Sequence, residues 1–173
     1  MAVVAVRREA EVLSNPDGDT RILAGDILIA FGTPDRVAAV AALLLGKALG
    51  AQQVIGVEHS PARLAICRAK GLGDLLIPAG PEAVAQIMAA TGGLGCERAI
   101  DCSGNPAGRL TAIQGTRRWG RMVFVGEGGT VAFQPSEDIM HKQITLYGSW
   151  VTSLGHMEEL VEFLVRKRQD VHF

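Results

Sequence analysis

Residues 25–58, GDILIAFGTPDRVAAVAALLLGKALGAQQVIGVE, carry the pattern of a strand, a helix and a second strand. An apolar run begins at Ile27, an alanine-rich stretch follows, and a second apolar run leads to Glu58. Similar β-branched runs alternate with longer helical patterns through the rest of the chain, which is typical of βαβ units in a parallel sheet. The predicted strands are residues 27–31, 54–57, 75–77, 98–101, 122–125 and 145–147, and the predicted helices are residues 35–49, 61–70, 81–91, 106–114 and 155–168.

The composition of these strands and the ends of the helices agree with that pattern. The strands contain near-continuous Val, Ile and Leu, as expected where a sheet is covered on both faces. The dipeptides Ser-Pro at 60–61 and Asn-Pro at 105–106 each supply an N-cap and a proline at the first helical position, and Gly71 and Gly73 follow a helix where a left-handed cap would lie. The sequence therefore predicts a Rossmann-like, doubly wound α/β fold with a mostly parallel sheet.

The first 23 residues show a different pattern, of strand, turn and strand. Apolar runs at residues 3–6, 11–13 and 20–23 flank NPDGD at residues 15–19, which is rich in turn-forming residues. They predict a small N-terminal β extension. This extension could form an antiparallel sheet with the strand at 27–31 or lengthen the edge of the main sheet.

Composition and charge exclude several classes of partner. The chain has 173 residues, 48% of them hydrophobic, with a formal net charge of -1, which suits one well-buried domain and predicts no nucleic-acid partner. The longest apolar run, residues 37–45, is roughly half of the ~20 residues that span a bilayer, so we expect no membrane segment. Apolar residues precede Arg7 and Arg8, the reverse of a secretory signal, and we expect a cytoplasmic protein. The three cysteines and four histidines show no spacing typical of a metal site.

The turn after the first predicted strand departs from the phosphate-binding pattern. Dinucleotide-binding βαβ units carry G-x-G-x-x-G after the first strand and an acid after the second. Glu58 stands at the position of the acid, but Gly32 is followed by Thr33, Pro34 and Asp35. Pro34 has no backbone N–H donor, and Asp35 brings negative charge to the place of the phosphates. The same three residues also make a good helix start, with Thr33 as the cap and Asp35 at the positive end of the helix dipole.

Two resemblances to known families divide the chain. The stretches KALGAQQVIGVEHSPARLAICRAKGLGD, CERAIDCSG, GRMVFVGEGG and ITLYGSW followed by EELVEFL resemble the NAD-binding domain of zinc-dependent medium-chain dehydrogenases, in the sorbitol, threonine and alcohol dehydrogenase branch. The stretches VVAVRR, PDGDT and AGDILIAFGTP resemble the later half of the RCK-C (TrkA-C) regulatory domain of potassium-conductance regulators. We therefore expect a splice. In it, the last strand and helix of the RCK-C-like segment, residues 1–46, replace the first strand and helix of a truncated dehydrogenase-type domain, residues 47–173.

The dehydrogenase resemblance implies NAD as the cofactor, bound at the carboxyl ends of the strands. It implies that Glu58 accepts hydrogen bonds from the adenine ribose and disfavours the 2′-phosphate of NADP, and that Arg63 lies over the same ribose. It places Cys102 and Ser103 at the wall of the adenine pocket, and the backbone of residues 125–127 against the nicotinamide amide. The candidate cofactor-binding residues are Gly32, Glu58, Arg63, Cys102, Ser103, Val125, Gly126 and Glu127. Because the glycine-rich loop is missing, we expect NAD binding to be weak or lost.

Each of these positions also has a purely structural interpretation. Residues 58–60 fit a solvated strand end with a helix cap, and Cys102 fits a small buried core residue. Asp101 fits a cap for the turn that follows it, and the glycines of residues 126–129 fit a simple loop.

The catalytic machinery of the family has no counterpart here. The catalytic zinc ligands of the family belong largely to a separate N-terminal domain that residues 1–46 do not resemble. We expect zinc in the family but not in this chain, no catalytic residues, and no turnover by the chain alone. The resemblance also implies truncation at both ends and exposed apolar surface, and we expect a homodimer. A nucleotide- or ion-sensing regulatory module and a folded chimera without a ligand stay open as alternatives, and the substrate is not predicted.

Overall fold

In a computed structural model, the structure describes residues 2–8, 11–14, 27–31, 34–150 and 153–167. The chain divides into two units. The first consists of Met1–Thr33 with Val151–Phe173, and the second consists of Pro34–Trp150. The elements in chain order are β1 (Ala2–Arg8), β2 (Glu11–Ser14), β3 (Ile27–Phe31), α1 (Pro34–Ala48), β4 (Ile55–Glu58), α2 (Pro61–Ala69), β5 (Leu75–Pro78), α3 (Ala83–Ala90), β6 (Cys96–Asp101), α4 (Pro106–Gly115), β7 (Thr116–Phe124), a short π-helix (Pro135–Met140), β8 (Thr145–Gly148) and α5 (Leu154–Lys167).

The first unit contains a three-stranded antiparallel sheet in the order β2-β1-β3. Val6 of β1 pairs with Leu13 of β2 on one side and with Leu28 of β3 on the other. The sequence left open whether this extension would be antiparallel, and the described strands pair in that way. The predicted strand at residues 20–23 lies outside the described residues. That β3 and α1 replace the first strand and helix of a dehydrogenase domain stays a prediction.

The second unit contains two parallel ladders, β4-β5 and β6-β7-β8. Among the strands that the structure describes, no ladder joins β4 to β6. Two clusters of buried apolar residues lie against the ladders: Ile77, Ala83 and Ile87 at the first, against which Cys96 of β6 also packs, and Ile113, Met122 and Ile144 at the second. The ladders are joined where α3 contacts α4, and Gly115 of α4 allows this approach because an added Cβ would lie 3.1 Å from Ile87 Cδ1. The predicted α/β class with parallel sheets is confirmed.

The predicted helix signals are confirmed at three helix ends. Ser60 caps α2 by accepting a hydrogen bond from the Arg63 N–H, and Asn105 caps α4 by accepting one from the Ala107 N–H. Gly71 and Gly73 after α2 both have left-handed backbone angles, with φ of 63° and 81°.

Two parts of the second unit differ from the sequence-based expectation. The prediction that β7 begins at residue 122 was wrong, because Thr116 already pairs with Cys96 of β6 across an irregularity in the ladder. Within this extension Trp119 has a left-handed φ of 61°, which a periodicity argument does not anticipate. The π-helix was not predicted at all. Among the described residues, no helix has both the length and the apolar character that crossing a bilayer requires.

Candidate cofactor site

The carboxyl end of β4 carries a closely bonded carboxylate. Arg63, in the first turn of α2, donates from Nε to Oε2 and from Nη2 to Oε1 of Glu58, both at 2.7 Å. The backbone N–H of Ser60 donates to the same Oε1 at 2.8 Å, and His59 Nδ1 lies 3.0 Å from it. This geometry follows from the local sequence. Glu58 ends β4, Ser60 caps α2, and Arg63 lies in the first turn of α2, five positions after Glu58.

These contacts hold Glu58 in its charged form. Burial alone would raise the pKa of Glu58, but the hydrogen bonds from Arg63 and Ser60, with the nearby positive charge, leave the pKa below its ordinary value. The side chain is 17% exposed, so a ligand at the strand end could reach it. A carboxylate oxygen can accept two hydrogen bonds, and Oε2 receives one from Arg63. The second acceptor position on Oε2 suits a hydroxyl donor such as a ribose.

A second buried carboxylate lies at the carboxyl end of β6. Asp101 is 4% exposed. Its Oδ1 accepts from the Ser103 N–H at 3.0 Å and from the Ser103 hydroxyl at 2.6 Å. Its Oδ2 accepts from the Gly104 N–H at 3.2 Å and from Arg109 Nε at 3.3 Å. We call these four residues the Asp101 cluster. The interpretation of Asp101 as a cap for the following turn is confirmed.

The Asp101 cluster also fixes the segment after β7. The main-chain oxygen of Asp101 accepts hydrogen bonds from the N–H groups of Val125 and Gly126, both at 2.9 Å. Gly126 passes so close to the turn after β6 that an added Cβ would lie 2.2 Å from the Gly104 nitrogen. A side chain at position 126 would therefore force the two strand-end turns apart. The amides of residues 125 and 126 face Asp101, so a ligand would meet other atoms of this segment.

A cleft of about 570 Å³ opens at the carboxyl ends of β7 and β8. Trp150, 73% exposed, and Phe124 give it apolar walls, while Arg109 and Glu127 bring charge to it. Its lining consists of Arg109, Phe124, Val125, Gly126, Glu127, Gly128, Gly129, Gly148, Ser149 and Trp150. The predicted segment 125–127 thus lines this cleft. Ligands of open α/β folds bind at this edge of the sheet.

Cys102 and Ser103 lie in the turn after β6 and are not among the residues that line the cleft. Burial, and then the charge of Asp101, raise the pKa of Cys102 to about 11, so the thiol stays protonated at neutral pH. The Ser103 hydroxyl donates to Asp101 and accepts from the Asn105 N–H at 3.1 Å. Their assignment to an adenine pocket stays a prediction, and Gly32 lies outside the described residues.

Sequence reasoning missed Arg109, which holds more of this region together than any predicted residue. Its contacts reach eight positions back to Asp101 and twenty positions forward to Gly129. No local spacing rule connects such residues. The available signal was a single basic residue on a mostly apolar helix that directly follows a buried acid.

No metal centre emerges in the described part of the chain. Across residues 34–150 and the other described ranges, no three His, Cys, Asp or Glu side chains come together as a group that could hold a metal ion. The donor groups of the described residues therefore do not fit a zinc site.

Comparison with known proteins places this geometry in a family. The family model described as zinc-binding dehydrogenase matches residues 39–166, which include Glu58, the Asp101 cluster and the cleft. The chain belongs to the zinc-binding dehydrogenase family. A second family model, the TrkA-C domain, matches residues 1–45 of the chain. Both resemblances seen in the sequence are thus confirmed.

Individual relatives agree with this family assignment. The chain is 48% identical over 118 residues to an uncharacterised zinc-type alcohol dehydrogenase-like protein, YphC, of Escherichia coli, covering 68% of the chain and 33% of that protein. It is 34% identical over 110 residues to sorbitol dehydrogenase of Homo sapiens, covering 61% of the chain and 30% of that protein. A crystal structure of an alcohol dehydrogenase from Thermotoga maritima matches with a TM-score of 0.65 and 27% identity, covering 75% and 37%. The chain spans about a third of the length of these relatives.

Proposed function

We propose that this chain is the NAD-binding part of a zinc-binding dehydrogenase and that it performs no turnover alone. The observation that carries the proposal is the Glu58–Arg63 pair at the carboxyl end of β4. A carboxylate held in its charged form there would accept a hydrogen bond from a ribose hydroxyl of the adenosine. Its negative charge would repel a 2′-phosphate. The guanidinium of Arg63, which could pair with that phosphate, already binds Glu58. NAD is therefore preferred over NADP.

The cleft at the ends of β7 and β8 suits the nicotinamide end. Phe124 and Trp150 offer apolar surface to the flat ring, and the backbone of residues 125–127 offers polar atoms to the ring amide. NAD, when bound, supplies the hydride acceptor or donor, and the residues of this chain bind and orient it. The sites that bind the carbonyl-bearing substrate and the zinc would have to be formed by residues other than the described ones.

The start of α1 weakens the middle of this site. The helix begins at Pro34, which has no N–H to offer a pyrophosphate, and Asp35 adds a negative charge in the first turn. Binding therefore rests mainly on the two ends of the dinucleotide, and we expect affinities in the micromolar to low millimolar range.

Isothermal titration calorimetry with NAD, NADH and ADP-ribose tests the proposal. Glu58→Ala removes the carboxylate, and Glu97→Ala is the matched control because Glu97 pairs with Arg117 at 2.9 Å near the amino end of β6. Binding that is lost in Glu58→Ala and retained in Glu97→Ala would support the proposal. Absence of heat with all three ligands, from a protein shown to be folded, would refute it and favour a folded chimera without a ligand.

The match of residues 1–45 to the TrkA-C domain supports a second candidate, a nucleotide-sensing regulatory module. Such a module needs the adenosine end alone. Equal affinity for ADP-ribose and NAD, with no contribution from the nicotinamide, would favour this second function over the first.

A further inference from the structure

Arg109 connects three parts of the second unit through one guanidinium group. Its Nε donates to Asp101 Oδ2 at 3.3 Å, Nη1 donates to the Gly129 carbonyl at 3.0 Å, and Nη2 donates to the Gly126 carbonyl at 2.8 Å. The guanidinium carbon lies 5.4 Å from the centre of the Phe124 ring. The side chain is only 13% exposed. Its donors are thus directed inward, to the chain itself.

The segment that Arg109 contacts is rich in glycine. Residues 126–129 have the sequence Gly-Glu-Gly-Gly, and Gly128 and Gly129 have left-handed φ values of 88° and 62°. Glycine-rich backbone has many alternative conformations, so fixing one costs conformational entropy. Arg109 contacts the first and the last carbonyl of this segment, which fixes both of its ends.

Only a guanidinium can make this set of contacts. Its donors leave a rigid plane in several directions, whereas the ammonium of lysine is a compact point charge on a flexible stem. The Asp101 carboxylate balances the positive charge of Arg109. Asp101 thus offsets the charge that Arg109 brings to the cleft, which reduces its repulsion of the positively charged ring of oxidised NAD.

We propose that Arg109 is a positioning residue that holds residues 126–129 in the conformation that receives the nicotinamide end of NAD. The proposal rests on the NAD-binding function proposed above. Arg109 acts through the carbonyls of Gly126 and Gly129 and does not touch the reacting carbon. Its loss therefore weakens recognition of the nicotinamide end and leaves recognition of the adenosine end unchanged.

The test compares Arg109→Met with Lys142→Met. Lys142 is a matched control because its Nζ also donates to two backbone carbonyls, those of Ile113 and Gln114, both at 3.0 Å, near the amino end of β7. Dissociation constants for NADH and ADP-ribose are measured by calorimetry, and the fluorescence of bound NADH reports the surroundings of the ring. Arg109→Met should weaken NADH binding about tenfold, which is the loss expected for about one hydrogen bond. Its ADP-ribose affinity, and both affinities of Lys142→Met, should stay within about twofold.

The possible outcomes separate this inference from the function on which it rests. An equal loss of NADH and ADP-ribose affinity in Arg109→Met, or an unchanged NADH affinity, would overturn the positioning role. Neither result would contradict the proposal that the unaltered chain binds NAD. Failure of the unaltered chain to bind either ligand would overturn both proposals. If Arg109→Met does not fold, Arg109→Lys takes its place, because it keeps the charge and loses the forked donation. Faster amide hydrogen exchange at residues 126–129 in the Arg109 variant, but not in Lys142→Met, would support the role independently.

Discussion

Replacing Asp101 by alanine should destabilise the second unit far more than removing any exposed acid. The carboxylate accepts four hydrogen bonds, from Ser103 twice, from Gly104 and from Arg109, and it is 4% exposed. Its removal leaves the Arg109 charge buried without its counter-ion, which costs about 3–5 kcal/mol in the free energy of unfolding. For a chain of this size, that loss corresponds to a fall in Tm of about 10 °C.

Differential scanning calorimetry and urea unfolding of Asp101→Ala measure this loss. Glu97→Ala provides the comparison because it removes one partner of an ion pair that is 62% exposed at Glu97 and 41% at Arg117. Exposed pairs of this kind contribute about 0–1 kcal/mol. Asp101→Asn, which keeps one acceptor and the shape, should fall between the two. If Asp101→Ala and Glu97→Ala lose similar stability, the Asp101 cluster does not hold the strand ends together.

Three further predictions concern other parts of the chain. Because the folded pKa of Glu58 lies below the ordinary value of 4.5, its stabilising contribution is present above pH 4.5 and is lost as the pH falls through the folded pKa. The stability difference between the unaltered chain and Glu58→Gln, from urea unfolding, should therefore shrink over that range. A constant difference would contradict it. Trp119→Gly should raise stability by about 1 kcal/mol in thermal unfolding, because the left-handed φ of 61° is unfavourable for tryptophan and the side chain is 72% exposed. An unchanged or lower Tm would mean that the indole makes a stabilising contact. We expect the edge of β8 that pairs with no described strand, with the half-exposed Tyr147, to form a homodimer contact, so Tyr147→Lys should shift sedimentation toward the monomer. A monomeric unaltered chain would refute that contact.

The helix ends and the contact between Glu58 and Arg63 have local causes and could be predicted from the sequence. A capping side chain followed by proline begins α2 and α4, as the sequence indicated. The Glu58–Arg63 pair follows from a strand end and the first turn of the next helix. The contact between these two charged side chains therefore depends mainly on residues that are close in the sequence.

The cleft at the ends of β7 and β8 was predictable only in part, because its geometry depends on distant contacts. The position of residues 125–127 after a strand could be inferred from the pattern, but the role of Arg109 could not, since its partners lie on two other elements. The start of β7 was misjudged for the same reason. Thr116 is in a strand because Cys96 pairs with it, and nothing in the apolar pattern near residue 116 indicates that pairing.

Within the described strands, the absence of a ladder between β4 and β6 has a consequence for cooperativity. Glu58 lies on β4 and the cleft lies on β7 and β8, and the two ladders are joined through α3 and α4. Each ladder could then open by its own local fluctuation, with its own free energy. A dinucleotide that contacts both would link the two openings. NAD would then slow amide hydrogen exchange in both ladders together. ADP-ribose would slow it in β4 and leave the opening of β7 and β8 unchanged.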